Sequence, residues 1–504
     1  MSVEAENPQP DLKDAAIAGI RWMAVARIAS EVIAFVSMVV LARLIIPSEF
    51  GEFAIVLVVT EIALTTTGEG IGTALVQRKT VKREHLQAGM FGSICIGLLL
   101  GAIAWVTAPY IFTPIFGEGT TELVRLSTPM FLIAAITAVP LAVLQRRLDF
   151  RMISVTQIVS TIVRAILTVA LALAGLEASA LVIGGMIASG SMMLALLVVA
   201  RLPWPRPRLR ELVEIGRFGV PAALAGLSWT GFRNADFAIV GARLGTAGAG
   251  FYWRSYQLAI EYQRKVGSGV NQVAFPIYSR APNVQEMAEF RRRVVRVEAA
   301  VLVPCLAALG VLAPLLIPLM FGPTWDDAIV PTQILALAGI VTIPSDTLGP
   351  VVLAAGRAKA WLAYHLGCFV VYATAVYIAA GRGLAAVCVA VVVVQAIAAV
   401  VGYAALLRGL VEKPILRLWE DMAPGLAGAV GLAAVAAPVA WGLTRIGAPD
   451  PVALIVASAA GGVAALAAIR LVSRGAWEDL VRLPKRVLER RRGRTPAMTL
   501  AEAR

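Results

Sequence analysis

The strongest constraint on the fold is a series of long apolar runs that covers most of the chain. Each run reaches about 20 residues, the length a helix needs to cross the hydrocarbon core of a bilayer. Lipid cannot satisfy open backbone groups, and alternating strand patterns are missing from the sequence, so closed helices are expected. Of 504 residues, 59% are hydrophobic, and the mean hydropathy is +0.79. We therefore predict an all-α polytopic membrane protein.

The apolar runs predict fourteen transmembrane helices, of which the last two are rich in Ala and Gly. We interpret these two as an addition to a twelve-helix core, which gives 12–14 helices in total. The predicted helices occupy residues 18–44, 50–75, 88–110, 124–144, 152–174, 178–200, 218–242, 250–277, 298–320, 330–353, 360–380, 384–407, 422–444 and 452–473.

Lysine and arginine residues are distributed unevenly between the two sets of connections that join these helices. The connections that follow even-numbered helices contain 22 of them, whereas the opposite connections contain only Arg43, Arg125, Arg243, Arg382 and Arg445. Cationic short loops stay on the cytoplasmic side, so both termini are expected in the cytoplasm. The net charge of +13 then reflects topology, and no nucleic-acid partner is expected. Membrane lipids are expected partners, because a basic tail attracts anionic headgroups.

Two segments of the chain resemble each other and indicate an internal duplication. LARLIIPSEFGEFAIV (41–56) leads from the first helix into the second, and GARLGTAGAGFYWRSY (241–256) leads from the seventh into the eighth. Arg43 and Arg243 are therefore 200 residues apart. Duplicated six-helix halves are typical of transporters, in which the substrate path lies between the halves.

A Pro- and Arg-rich stretch separates the two halves and sets the predicted domain organisation. We predict two pseudo-symmetric six-helix bundles around a central cavity, followed by two extra helices. The predicted parts are an N-terminal bundle at 1–200, a cytoplasmic linker at 201–217, a C-terminal bundle at 218–410, an extra transmembrane hairpin at 420–475 and a basic cytoplasmic tail at 476–504.

The order and spacing of four segments resemble a known family, the Wzx-like polysaccharide flippases of the MOP exporter superfamily. The resemblance covers roughly residues 15–410, and no single segment carries it alone. The segments are LARLIIPSEFGEFAI (41–55), GTALVQRKTVKREHLQAG (72–89), VLQRRLDFRMISVTQIVS (143–160) and LIPLMFGPTWDDAIVPTQILALAG (316–339).

The resemblance implies a specific transport function in the bacterial inner membrane. Such proteins move an undecaprenyl-diphosphate-linked oligosaccharide from the cytoplasmic to the periplasmic leaflet by alternating access, for O-antigen, capsule or exopolysaccharide synthesis. A polysaccharide polymerase and a chain-length regulator are the implied protein partners. No enzymatic activity and no cofactor are expected. The four cysteines and two histidines lack the spacing of metal ligands, so no metal site is expected either.

Charged residues inside the predicted spans are the candidate substrate-binding residues. A charge at membrane depth costs at least about 2.5–3.5 kcal/mol on insertion scales, so each one calls for a reason. An arginine fork pairs with phosphate oxygens and keeps its charge, which predicts a cationic lumen for the diphosphate. The predicted lumen residues are Arg27, Arg164, Arg233 and Arg254.

Acidic and aromatic residues in the same helices complete the candidate site. The predicted charge partners, or coupling-ion ligands, are Glu31, Glu61, Asp236 and Glu261. Arg27–Glu31 and Arg233–Asp236 are spaced four and three apart, so each pair shares a helix face, and a purely structural ion pair stays an alternative. Sugars stack on aromatic rings, although helix packing equally explains such residues. The stacking candidates are Trp229, Tyr252, Trp253 and Tyr256.

Two other functions compete with the flippase prediction. A cation-coupled drug or small-molecule antiporter of the same superfamily could use the membrane carboxylates, but a cationic cavity repels cationic drugs. A membrane glycosyltransferase, polymerase or ligase usually needs a large polar outer loop, and the outer connections here are short.

The glycine-rich stretches GEGIG (68–72) and GSG (267–269) end the second and eighth helices. We interpret these stretches as hinges.

Overall fold

The computed structural model describes residues 12–280, 284–408, 411 and 413–480. These residues form helices and short connections, without β-strands, which confirms the predicted all-α class. The predicted tail lies outside the described residues from residue 481 onward.

The chain divides into two compact units. The described part of the first unit extends to Trp253 and also includes Met320–Thr324. Its helices are α1 (Leu12–Leu44), α2 (Pro47–Thr67), α3 (Thr73–Gln77), α4 (Arg83–Ile111), α5 (Thr113–Phe116), α6 (Glu118–Ser127), α7 (Pro129–Arg146), α8 (Phe150–Leu173), α9 (Glu177–Ala200) and α10 (Leu209–Tyr256), which continues three residues beyond the unit.

The second unit contains Arg254–Leu319 and the described residues from Trp325 onward. The unit boundary falls within α10, not in the Pro- and Arg-rich linker. The two units are defined by their compactness, whereas the predicted bundles are defined by the duplication in the sequence. The predicted bundle limits therefore remain predictions. The helices of the second unit are α11 (Tyr262–Arg280), α12 (Val284–Phe321), α13 (Ile329–Asp346), α14 (Leu348–Ala354), α15 (Ala358–Ala380), α16 (Leu384–Leu406), α17 (Pro414–Arg445) and α18 (Asp450–Val472).

Among the described residues, 12 helical segments are long and apolar enough to cross a membrane. The chain is therefore a multi-pass membrane protein within the predicted range of 12–14 helices. The seventh and eighth predicted helices are also helical, in α10 and α11. They fall outside the apolar set, and their charged residues include Arg233, Asp236, Arg264 and Lys265.

Local breaks in the first unit follow from residue chemistry. Ile46 is extended (φ −73°, ψ 158°), and Pro47 begins α2, where its missing N–H is not needed. Gly245 has φ 76° and ψ 177° inside α10, a conformation that glycine adopts without the steric cost that other residues incur. Thr246 therefore begins a new straight segment of α10, the counterpart of the predicted eighth helix.

The last two helices are an integral part of the second unit. In α17, a Cβ on Gly425 would lie 2.4 Å from the carbonyl oxygen of Ala299 in α12, so the backbones touch there. Arg292 on α12 donates to Asp421 at 3.1 Å and to Glu420 at 3.0 Å, both at the start of α17. The α17–α18 hairpin thus shares apolar and ionic contacts with α12.

We expect Gly425→Ala to destabilise the protein and Gly442→Ala, on the same helix, to leave it unchanged. The added methyl at Gly425 meets fixed backbone, whereas nothing lies within 4 Å of a Cβ on Gly442. Overpacking of this kind costs about 1–3 kcal/mol. Thermal unfolding of both purified variants in detergent measures the difference. Equal melting temperatures for both would contradict the α12–α17 contact.

Candidate functional site

The candidate site lies where α2 and α10 run side by side in the first unit. We call this contact the α2–α10 seam and define it by Glu61, Thr65, Thr230, Arg233 and Asn234. Thr65 and Thr230 share a hydroxyl hydrogen bond of 3.0 Å. The seam therefore has a polar middle within segments that the sequence predicts to cross the membrane.

One carboxylate, Glu61, holds the seam together. Arg233 Nη2 donates to Glu61 Oε1 at 3.0 Å, and Asn234 Nδ2 donates to Glu61 Oε2 at 2.8 Å. The side chains of Arg233 and Glu61 are 40% and 35% exposed, whereas Asn234 is buried. The buried Asn234 amide thus holds the Glu61 carboxylate, while both members of the ion pair stay partly exposed.

The open side gives this pair its chemical capacity. A guanidinium has five N–H donors, and its bond to Glu61 uses one of them. A phosphate oxygen reaching the exposed face of Arg233 could replace Glu61 as its partner, and Asn234 would still donate to the released carboxylate. Such an exchange leaves no charge without a hydrogen bond, which limits the cost of moving an anion through a low-dielectric region.

Of the predicted acidic partners, Glu61 bonds to Arg233, whereas Asp236 bonds within α10. Arg233 and Asp236 share one helix face, but Arg233 bonds to Glu61 across to α2. Asp236 is 1% exposed and accepts hydrogen bonds from Tyr252 Oη at 2.7 Å and from the backbone N–H of Phe237 at 3.0 Å. Both of these donors belong to α10, and the predicted role of Asp236 as a charge partner stays a prediction.

Arg27 and Arg164 lie on another helix pair of the first unit, α1 and α8. A hydrogen bond of 3.3 Å joins Thr161 on α8 to Ser30 on α1. Arg27 lies about one helical turn before Ser30, and Arg164 lies about one turn after Thr161. Both arginines are exposed, and Glu31 is half-buried. The structure thus brings Arg27 and Arg164 to one helix pair and Arg233 to the α2–α10 seam.

The remaining candidates are mostly interior. Arg254 is 0% exposed; its Nη1 donates to Gln257 at 3.1 Å, and its guanidinium lies 5.3 Å from the Trp325 ring. It offers no surface to a headgroup in this conformation. Tyr252 and Tyr256 are buried as well. Glu261 is half-buried, at the end of a π-helical turn that begins at Gln257.

The aromatic candidates in α10 therefore serve packing where they are described. Trp253 stacks on Phe50 with ring centroids 6.1 Å apart and meets Phe53 edge-on at 6.1 Å. The Trp229 side chain lies outside the described part of the structure. Tyr252 and Tyr256 expose no ring face on which a sugar could stack.

Sequence reasoning missed a polar group in the second unit. Gln263 donates to Asp346 Oδ2 at 2.7 Å, and Thr342 donates to Gln263 Oε1 at 3.3 Å. Asp346 was detectable as a carboxylate within the predicted tenth helix. Gln263 was not, because an uncharged amide gives no strong signal. Asn234 was missed for the same reason.

A second ionic cluster lies at the predicted cytoplasmic end of the first unit. Glu214 near the start of α10 accepts a short bond from Arg78, while His85 Nε2 and Arg210 Nε lie 3.6 Å and 3.7 Å from its carboxylate. The Arg78 hydrogen bond is the main reason that the pKa of Glu214 is lowered; His85 acts in the same direction, and desolvation opposes both. This cluster connects the beginning of α10 to Arg78, directly after α3, and to His85, in the first turn of α4.

The predicted hinge at residues 68–72 has an unusual backbone. Gly68–Gly72 forms a π-helical turn between α2 and α3, a feature that is rare and frequent at functional sites. A Cβ on Gly219 of α10 would lie 2.9 Å from the Gly70 carbonyl oxygen, so the two backbones are in contact here. The hinge interpretation remains a prediction.

Comparison with protein families now adds to this geometry. The family described as "Polysaccharide biosynthesis protein" matches residues 40–330. The chain belongs to this family. The match includes the α2–α10 seam, three of the four segments that carry the family resemblance in the sequence, and the first part of the fourth, 316–339.

Curated relatives of this family member cover most of its length. It is 26% identical over 382 residues to the teichuronic acid biosynthesis protein TuaB of Bacillus subtilis, covering 74% of this chain and 78% of the relative. It is 24% identical over 356 residues to the lipopolysaccharide biosynthesis protein WzxC of Escherichia coli, covering 69% and 71%. An uncharacterized membrane protein in the cps region of Klebsiella pneumoniae is 24% identical over 413 residues, covering 80% and 84%.

Solved structures with the same fold are transporters. The lipid II flippase MurJ in an inward closed conformation superposes with a TM-score of 0.70 at 15% identity, covering 91% of this chain and 99% of that chain. An inward-facing multidrug resistance MATE transporter of the MOP superfamily gives a TM-score of 0.60 at 17% identity, covering 76% and 94%. These similarities confirm the predicted fold class of this polysaccharide biosynthesis family member.

The Glu214 cluster predicts a pH-dependent stability. A carboxyl whose pKa is lowered in the folded state stabilises that state above its ordinary pKa of 4.5, and this stabilisation is lost as the pH falls through the lowered value. Melting temperatures measured from neutral to acidic pH should therefore decrease less steeply in Glu214→Gln than in the parent. Glu211→Gln, one turn earlier on α10, is the control and should follow the parent. Parallel curves for Glu214→Gln and the parent would contradict the prediction.

Proposed function

We propose that this chain is a flippase for lipid-linked oligosaccharides in the bacterial inner membrane. It carries undecaprenyl-diphosphate-linked repeat units from the cytoplasmic to the periplasmic leaflet by alternating access, with both termini in the cytoplasm. The observation that carries the proposal is the half-exposed Arg233–Glu61 pair, anchored by Asn234, within predicted membrane-crossing helices. A polysaccharide polymerase and a chain-length regulator are proposed as downstream partners.

The physical task is to carry an anionic headgroup across about 30 Å of hydrocarbon. Arg233 compensates the diphosphate through charge-assisted hydrogen bonds, which are shorter and stronger than neutral ones. Glu61 keeps Arg233 compensated when no substrate is bound. The headgroup then enters by replacing one anion with another, and no covalent bond is made or broken, so the protein acts as a transporter and not as an enzyme.

The comparisons support this reading in two ways. Relatives are named for teichuronic acid and lipopolysaccharide biosynthesis, and ExoT of Rhizobium meliloti, 24% identical over 345 residues, is named a succinoglycan biosynthesis transport protein. All three names refer to the biosynthesis of a saccharide polymer, and that of ExoT adds transport. The fold is shared with the lipid II flippase MurJ, which fits a lipid-linked substrate.

Arg27 and Arg164 extend the proposed cationic path in the first unit. Both side chains are exposed, and together with Arg233 they give three arginines within the predicted spans. A drug antiporter would need a path that attracts cations, and these residues repel cations. The arginines therefore favour an anionic headgroup over a cationic drug.

We expect Arg233→Glu to reduce polysaccharide export by roughly tenfold or more, because two carboxylates would then face each other and repel the diphosphate. The measurement is restoration of surface polysaccharide in a flippase-deficient bacterial strain, with membrane insertion quantified in parallel. The exchange variant Glu61→Arg/Arg233→Glu restores the ion pair and should regain part of the export.

Arg382→Gln, an exposed cation in a short outer connection, is the control and should export normally. Full export by Arg233→Glu at normal membrane levels would refute the proposed site. A change in drug tolerance with unchanged surface polysaccharide would instead support the antiporter.

A further inference from the structure

Two prolines interrupt membrane helices at matching places of the two predicted halves. Pro109 lies inside α4, and Pro314 lies inside α12. Each proline is followed, seven residues later, by a phenylalanine and then by a glycine. These glycines, Gly117 and Gly322, have φ angles of 89° and 93°. The two prolines are 205 residues apart, and so are the two glycines, so the prolines occupy the same place relative to the helix end.

Each proline leaves one backbone carbonyl without its helical partner. Proline has no N–H, so the carbonyl four residues earlier receives no hydrogen bond from it. The carbonyls concerned belong to Trp105 in α4 and to Gly310 in α12. Lipid supplies no donor in place of the missing one, so a membrane helix must satisfy such a group from within the protein. Each of the two carbonyls therefore needs a donor from elsewhere in the fold.

A side chain of a following helix donates to each of these carbonyls. Arg125 Nε on α6 donates to the Trp105 oxygen at 3.3 Å. Gln333 Nε2 on α13 donates to the Gly310 oxygen at 3.2 Å. Both donor residues are half-buried. Because Nε of arginine and Nε2 of glutamine are the same number of bonds from the backbone, the two halves use different residue types with the same reach.

Neighbouring contacts hold both donors beside their carbonyls. A Cβ on Gly310 would lie 3.5 Å from the Ala336 Cβ and 3.7 Å from the Gln333 carbonyl oxygen, so α13 passes close to this part of α12. The Arg125 guanidinium lies 4.6 Å from the centroid of the Trp105 ring. Arg125 therefore contacts both the carbonyl and the side chain of one residue.

We infer that Arg125 and Gln333 are positioning residues. Each supplies the hydrogen bond that a proline removes, and so fixes the predicted outer end of α4 or α12. The donated N–H is what matters, since a neutral amide serves in one half where a cation serves in the other. This use gives an arginine a reason to lie in an outer connection, where cations are otherwise scarce. The inference goes beyond the proposed function and does not depend on the transported substrate.

A double-mutant cycle in the second unit tests whether the donor and the proline depend on each other. Gln333→Leu should lower the melting temperature of the purified protein in detergent by roughly 2 °C or more. In a Pro314→Ala background the same substitution should lower it by less than half as much, because the restored N–H bonds to the Gly310 carbonyl. An equal decrease in both backgrounds would overturn the inference.

Pro318→Ala is the matched control background, because Pro318 lies one turn later in α12. The carbonyl that Pro318 leaves without a partner belongs to Pro314, not to Gly310. Gln333→Leu should therefore keep its full effect in this background. Loss of the effect here as well would show that the Gln333 amide does not act through the Gly310 carbonyl.

Arg125 gives an independent test in the first unit, which stands even if Pro314→Ala does not fold. Arg125→Leu should lower the melting temperature, and less so in a Pro109→Ala background. The lost contact with the Trp105 ring is common to both backgrounds and cancels in the comparison. Arg125→Gln should restore most of the parent value, because its amide reaches the same carbonyl.

The outcome for Arg125→Gln separates the donated N–H from the charge. If this variant melts as low as Arg125→Leu, the positive charge is what the protein needs, and the inference is wrong. Arg382→Leu is the control for replacing an outer cation by an apolar residue, since Arg382 is exposed, and it should melt like the parent. All of these measurements use purified protein without substrate, so they stay informative even if the proposed transport function fails.

Discussion

The need to compensate charge within the bilayer governs this structure more than any other interaction. Glu61 meets that need by accepting hydrogen bonds from Arg233 and Asn234 at the same time. In the second unit, Asp346 accepts a hydrogen bond from Gln263, which in turn accepts one from Thr342. In both units an amide stands behind a carboxylate, so that the carboxylate keeps a partner when its other contacts change.

Backbone proximity is the second organising feature, and it complements the first along α2 and α10. Where Gly51 meets Gly250 and where Gly70 meets Gly219, the helices approach without intervening side chains. Between these points, Glu61, Thr65 and their partners occupy the space. A contact built in this way is tight at its two ends and polar in its middle.

Much of the fold could be predicted because hydropathy and charge act locally. Runs of apolar residues determine which segments form long helices, and the structure confirms those helices. The orientation inferred from clusters of cations stays a prediction. Side-chain partners depend on neighbouring helices and were less predictable. The spacing of Arg233 and Asp236 indicated a pair within one helix, yet Arg233 bonds across to α2. Likewise, the sequence identified Arg254 as charged within a span but gave no sign that its side chain is fully buried.

The same distinction explains why the duplication was visible while its consequence was not. The resemblance between 41–56 and 241–256 appears in the letters of the sequence, with Arg43 and Arg243 as its clearest mark. The contact that follows from it involves Gly51 and Gly250, which are 199 residues apart, one residue out of step with the two arginines. Gly245 interrupts α10 between Arg243 and Gly250, so the seventh and eighth predicted helices join differently from the first and second.

A residue that adopts a positive φ can change the register at a helix junction while the helices themselves keep their equivalent positions. Duplicated chains can thus retain a symmetric contact even where their sequences no longer align residue by residue.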